Sequence, residues 1–184
     1  MNCYIYVHDD DKELESSLLE RGFTLIDTMQ VLKSNSNEIE YDDCNIHVNK
    51  IDIDSIPIWI DVFCKSFDIW NWKSEVEKVV KLHFKELILL ISYIDNNNKT
   101  RIPAGCTALL NRYDLMGLYC LGTVSSFRGQ GLAKKVIKIS LEIAREDGID
   151  FLFLQTFTNE GFIHFYKKIG FQVLYKKRIF ALYK

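Results

Sequence analysis

The 184-residue chain has almost no surplus charge of either sign: 23 Lys and Arg stand against 25 Asp and Glu, a formal net charge of −2. Such a balance gives no electrostatic case for a nucleic-acid partner. Cysteine is sparse and unpatterned. Cys3, Cys44, Cys64, Cys106 and Cys120 include no C-x-x-C pair, which favours reduced thiols in a cytoplasmic protein over a disulfide framework or a zinc site. The four histidines (His8, His47, His83 and His164) lie far apart without metal-ligand spacing, so no metal is expected. Long apolar runs are missing as well. The longest, Leu87 to Ile91, is far short of a membrane span, and no membrane association is expected. Met1-Asn2-Cys3-Tyr4 lacks the basic region of a signal peptide, and acids begin at Asp9. What is present is a 48% hydrophobic chain, enough to build a real core.

The most informative stretch runs from Leu118 to Ala144. Leu118-Tyr119-Cys120-Leu121-Gly122-Thr123-Val124 reads as a buried strand. Ser125-Ser126-Phe127 links it to Arg128-Gly129-Gln130-Gly131-Leu132-Ala133, where an amphipathic segment begins at once. A strand that runs through a glycine turn into a helix is a physical device for holding a diphosphate. Glycine lets the backbone approach a ligand and adopt positive φ. The first helical N–H groups have no partner within the helix and sit at the positive end of its dipole. An anion there gains hydrogen bonds plus up to about 2 kcal/mol.

Spacing separates the nucleotide motifs that share this logic. A P-loop fails, because Gly131 is followed by Leu132 and Ala133 rather than Lys and Ser or Thr. A dinucleotide fingerprint needs a third glycine where Lys134 stands, and more strand–helix units than the remaining chain allows. The pattern Q/R-x-x-G-x-G/A is satisfied in full by Arg128-x-x-Gly131-x-Ala133. In this, the sequence resembles the GNAT superfamily of acyl-CoA-dependent N-acyltransferases.

The downstream sequence fits the same resemblance. Leu132, Val136, Ile139 and Ile143 form one apolar stripe, flanked by Ala133, Ile137, Ser140 and Ala144. Lys134, Lys138, Glu142 and Arg145 form a wet face, so the helix is expected to pack on a sheet. Asp147-Gly148 supplies its stop. Phe151 to Gln155 is a second apolar strand, and strand, helix and strand predict a right-handed crossover with parallel strands. Asn159 follows, and seven residues later Tyr166 opens a Tyr-x-x-x-Gly-Phe run ending at Phe171. GNAT families show the same order.

The resemblance implies an acetyl-CoA-dependent transferase that acetylates a primary amine by direct attack, with acetyl-CoA as co-substrate and no metal. The pantetheine arm would pair with the backbone of Leu121, Gly122 and Thr123. The pyrophosphate would rest on amides from Gly129 through Gln130, Gly131, Leu132 and Ala133 to Lys134, with Arg128 and Lys134 or Lys135 near phosphate charge. Asn159 would hold the cofactor arm, and Tyr166 would bind it and act as the catalytic acid opposite the sulfur. Some GNAT families carry a glutamate on one of the diverging strands. Here those positions read Tyr119, Leu121, Leu154 and Gln155, so no base is assigned, with Glu160 and Asp150 as distant carboxylates. A catalytically silent acyl-CoA-binding module is the alternative. The acceptor amine and the oligomeric state are not encoded in any readable pattern.

The remaining chain shows an internal echo. Cys3 to Val7 predicts a strand, Lys12 to Arg21 a helix and Thr24 to Leu32 a strand. Offset by 148 positions, this segment lies on the chain end: Tyr4-Ile5-Tyr6 on Leu152-Phe153-Leu154, Gly22-Phe23 on Gly170-Phe171, Leu18 on Tyr166. It reads as a half-repeat without its own glycine turn, structural in role. Ser34 to Asp43 is a polar link. A helix opening near Pro57 is capped by Ser55 or Asp54, and a second follows from Ser74 to about Phe84 with Val76, Val79, Val80 and Phe84 inward. Trp70 and Trp72 are candidate walls of an acceptor site. Leu87 to Tyr93 and Ile102 to Asn111 form a hairpin around Asp95 to Lys99.

The fold class expected is therefore α/β (α+β), resembling GNAT proteins. Its central sheet would be mixed and mostly antiparallel, with one parallel strand pair splayed to hold acyl-CoA and helices on both faces. Residues 1–40 form the half-repeat and residues 41–184 the acetyltransferase domain.

Overall fold

A computed structural model describes residues 2–34, 39, 45–96 and 100–183. Most of the polar link and residues 97–99 of the hairpin turn lie outside the described residues. Along the chain run β1 (Cys3–His8), α1 (Lys12–Glu20), β2 (Thr24–Ser34), β3 (Ile46–Lys50), α2 (Ile56–Phe67), α3 (Lys73–His83) and β4 (Leu87–Asp95). Then come β5 (Arg101–Arg112), β6 (Leu115–Thr123), α4 (Leu132–Glu146), β7 (Leu152–Phe157), α5 (Ile163–Lys168) and β8 (Phe171–Leu182). Two compact units result: Met1–Asn37 with Phe153–Lys184, and Glu38–Leu152.

The larger unit carries the antiparallel order β3-β4-β5-β6. Tyr113 (φ 54°) and Asp114 (φ 59°) close the β5–β6 hairpin in the left-handed conformation that matches strand twist. Helix α2 covers the sheet with Ile56, Trp59, Ile60 and Cys64, packed with Leu89, Ile91, Cys106 and Ala108. Its start differs from the expectation. A 3₁₀ turn precedes it, so Asp52 accepts the Ser55 N–H at 3.0 Å and Ser55 makes no side-chain cap. In α3, Val76 and Val80 face inward, but Val79 is 58% exposed, because the helix buries only a narrow stripe. Helix α4 buries Leu132, Val136, Ile137, Leu141 and Ala144, plus Ser140, whose hydroxyl donates to the Val136 carbonyl at 2.7 Å.

The smaller unit carries the antiparallel order β1-β8-β2-β7. Strand β1 alternates: Val7 is buried with Leu18 and Phe180, while Tyr4 and Tyr6 point to the other face and stay half exposed. Glu15 of α1 is 6% exposed and held by Arg178 at 2.8 Å and Lys12 at 3.3 Å, which compensates its burial. At the centre, Met29 of β2 pairs with Lys177 of β8, two positions themselves 148 apart. One extra residue interrupts each strand of this pair, Ile26 in β2 and Leu174 in β8, again 148 apart. Gly22 (φ 84°) and Gly170 (φ 96°) turn the chain into these strands in the same left-handed conformation.

Candidate functional site

Strand β6 is not regular where the sequence places its ligand-facing segment. Cys106 pairs with Gly122 and Ala108 with Tyr119, so Thr107 opposes two residues, Cys120 and Leu121, in a bulge. Cys120 takes φ 54°, a conformation unusual for a side-chain-bearing residue. The carbonyls displaced from the ladder are taken up by side chains. Thr107 Oγ1 donates to the Tyr119 carbonyl at 2.7 Å, Cys106 Sγ to the Cys120 carbonyl at 3.7 Å, and Trp59 Nε1 to the Thr107 carbonyl at 3.1 Å. The bulge is thus braced from β5 and α2. Burial pushes the Cys106 thiol up, and burial likewise raises Cys120 to about 11, so both stay neutral thiols rather than nucleophiles. The sequence carries no signal for this bulge, because Cys, Thr and Trp here look like ordinary core residues.

Gly122 has a steric reason to be glycine. A Cβ there would lie 2.7 Å from Ser66 Cβ and 2.8 Å from Phe67 Cε2, at the end of α2. Arg128 ties the same corner together: Nε donates to the Thr123 carbonyl at 3.2 Å and a terminal nitrogen to the Ser66 carbonyl at 3.0 Å. Two of its donors therefore fix the turn and one of the last carbonyls of α2.

Beyond Arg128 the turn opens. Gly129 (φ 79°) has nothing within 4 Å of a Cβ position, and Gly131 (φ 91°) is the N-cap of α4. No side chain caps that helix, and its first intrahelical bond is Lys135 N–H to Gly131 carbonyl at 3.1 Å. The preceding amides, Leu132 to Lys134, aim along the axis with no helical acceptor. Leu132 anchors this end in a cluster with Ile46, Ala104 and Phe127. Gln130 is exposed and donates to the Ser126 carbonyl at 3.5 Å.

In the smaller unit, Asn159 and Glu160 lie in a 3₁₀ turn (Thr158–Glu160) between β7 and α5. Thr158 pins that turn to β2, donating to the Thr28 carbonyl at 2.8 Å and accepting from Gln30 Nε2 at 3.2 Å. Glu160 Oε2 accepts from Thr156 Oγ1 at 3.2 Å and the Phe157 N–H at 3.3 Å. Asn159 is exposed, and among the described residues its side chain has no hydrogen-bond partner. Tyr166 packs edge-on against Phe165 (5.2 Å) and Phe171 (5.8 Å). Burial, with the Glu160 carboxylate adding to it, pushes its phenol up to about 12. It stays protonated across the physiological range.

Trp70 and Trp72 remain on the surface of the larger unit, 45% and 58% exposed. The Lys73 ammonium sits 5.7 Å from the Trp70 ring centre and pairs with Asp61 at 2.7 Å.

The family model of the GNAT acetyltransferases matches residues 57–171, which include the bulged strand, the glycine turn and Tyr166. The chain belongs to the GNAT acetyltransferase family. Solved structures agree on the fold. A functionally unknown conserved protein from Staphylococcus epidermidis superposes with TM-score 0.76 at 12% identity, over 98% of this chain and 71% of that one. A GCN5-related N-acetyltransferase from Sphaerobacter thermophilus gives 0.75 at 10% identity, over 99% and 59%. A GNAT-family acetyltransferase from Colwellia psychrerythraea gives 0.68 at 15%, over 100% and 65%. This GNAT chain thus spans between 59% and 71% of those three proteins. No curated protein matches it in sequence. At such identities the likeness fixes the α/β fold and nothing finer.

Proposed function

We propose that this GNAT protein transfers an acetyl group from acetyl-CoA to a primary amine by direct attack. The observation that carries the reading is the open turn at Gly129–Gly131 leading into the uncapped start of α4. A diphosphate suits that end, since it gains amide hydrogen bonds and a favourable dipole. The pantetheine arm would lie along Leu121 to Thr123, the segment that leaves the bulge at Cys120 and Leu121. Asn159, with its amide unpartnered among the described residues, would hold the arm.

In the step proposed, the neutral amine nitrogen attacks the thioester carbonyl. The C–N bond forms, the C–S bond breaks, and the departing sulfur gains the proton that the nitrogen loses. A thiol titrates near 8.5 and Tyr166 at about 12, so outright proton donation by the phenol is uphill by roughly 5 kcal/mol. Tyr166 therefore acts as a hydrogen-bond donor to the developing thiolate and relays the amine's proton to it. The amino-terminal β1-α1-β2 segment enters as a structural copy of the carboxy-terminal one, without a catalytic group.

Acetyl-CoA with a panel of primary amines, read by thiol release, tests the reading. Wild-type turnover that drops tenfold or more in Tyr166→Phe is expected. Calorimetric binding of CoA with no turnover on any amine would instead identify a silent binding module.

A further inference from the structure

The open face of the smaller unit holds a groove of about 470 Å³ that the acyl-CoA reading does not use. Its size falls in the range of small-molecule sites. Its floor is Ile179, which pairs with Tyr6 of β1 on one side and with Asp27 of β2 on the other. Tyr4 and Tyr6, two apart on β1, project onto this face and are 50% and 52% exposed. The Ile26 bulge matters here. In a regular strand Ile26 and Asp27 would point to opposite faces, but the extra residue lets both line the groove. Phe157 and Glu160 complete it from the end of β7 and the turn beyond.

The chemistry of this lining is specific. Asp27 Oδ1 accepts only the N–H of Thr28 (2.6 Å), and Glu160 accepts the two donors already described through one oxygen. Among the described residues no cation pairs with either carboxylate. Two uncompensated acids repel an anionic ligand, while aromatic faces favour an apolar body and attract an ammonium. Glu160 also belongs to the turn leading to Tyr166, which its charge reaches.

We infer that this groove is the acceptor site and takes a small organic amine, bound as its ammonium with the charged head between Asp27 and Glu160 and the apolar body against Tyr4, Tyr6 and Phe157, and losing one proton to solvent before the neutral nitrogen attacks. The inference rests on the transferase reading above for its purpose, though not for its binding chemistry. Calorimetry on the full chain with 2-phenylethylamine, and with its uncharged counterpart 2-phenylethanol, is the test, run with and without CoA. Tenfold or weaker binding of the alcohol, and a comparable loss for the amine in Asp27→Asn and in Tyr6→Leu, are expected. Both substitutions are at solvent-accessible positions, and circular dichroism with unchanged CoA affinity checks that each variant is folded. Absence of amine binding at millimolar concentration, or equal binding by wild type and both folded variants, overturns the inference. Turnover of the amine whose KM ignores Asp27→Asn also overturns it while leaving the transferase intact. Amine binding with the expected variant pattern but no acetylation of any amine supports the groove and sinks the transferase.

Discussion

The two β-α-β arms of the smaller unit, β1-α1-β2 and β7-α5-β8, share an outline and differ in one turn. Both enter the second strand through a left-handed glycine, Gly22 and Gly170, and both carry a bulge, Ile26 and Leu174, at corresponding positions. The helices diverge. In the first arm Asp11 accepts the Leu14 N–H at 3.0 Å and starts a nine-residue helix. In the second, Asn159 stands at the corresponding position but caps nothing; a 3₁₀ turn and Gly161 (φ 73°) intervene, and α5 has six residues. Unwinding that first turn leaves Asn159 and Glu160 exposed. Where the first arm buries Leu18 at 5% exposure, the second presents Tyr166. The second arm thus differs from the first by a shorter helix, not a longer one.

The largest expected contrast is between those two side chains. Tyr166→Phe should lower kcat tenfold or more with little change in unfolding free energy. Leu18→Ala should do the reverse, removing about 2–5 kcal/mol of stability while the folded fraction keeps its kcat. Paired denaturation and steady-state assays read both; equal kinetic losses would erase the distinction between the arms. Next in size is the anion end of α4. Gly131→Asp should cost about 1–2 kcal/mol of stability through the left-handed φ, and its charge would oppose a diphosphate at the start of α4. CoA affinity by calorimetry should fall tenfold or more, whereas Gly22→Ala should cost about 1–2 kcal/mol of stability and leave CoA binding alone. Smaller again is the cap pair. Asp11→Ala should cost about 1 kcal/mol, while Asn159→Ala should cost no stability and raise KM for acetyl-CoA.

Much of this was legible in the residues. The glycine turn, the strand before it and the amphipathic α4 follow from spacing and periodicity, and the family match covers the same stretch. The 148-residue offset found in the sequence also relates the bulges and the left-handed glycines of the two arms. Other features were not legible, for physical reasons. The β6 bulge depends on Trp59, Cys106 and Thr107 satisfying displaced carbonyls, a cooperation between distant elements that no local pattern encodes. Nor does the motif show that two donors of Arg128 go to the carbonyls of Thr123 and Ser66, since position in a motif does not say which acceptors are nearest. The groove escaped because its residues come from β1, β2, β7 and β8, and Ile26 and Asp27 share a face only through a bulge.

The smallest effect concerns the Tyr166 phenol itself, and it sharpens the contrast with Leu18, which cannot titrate. Burial and the Glu160 charge raise its folded pKa to about 12, against about 10 for an unfolded tyrosine. The neutral phenol is therefore favoured by folding. Below pH 10 both states are protonated and the contribution is complete; as pH rises from 10 toward 12 the unfolded chain ionises first, and stability is lost. At pH 10.5 the loss attributable to this group should be about 1 kcal/mol. Urea unfolding of wild type and Tyr166→Phe at pH 8 and pH 10.5 isolates it, because other titrating groups cancel in the difference. The wild type should lose that much more than the variant. Identical losses would mean that the phenol is as free of its surroundings as in the unfolded chain, and a side chain so placed would be no better poised than its aliphatic counterpart in the first arm.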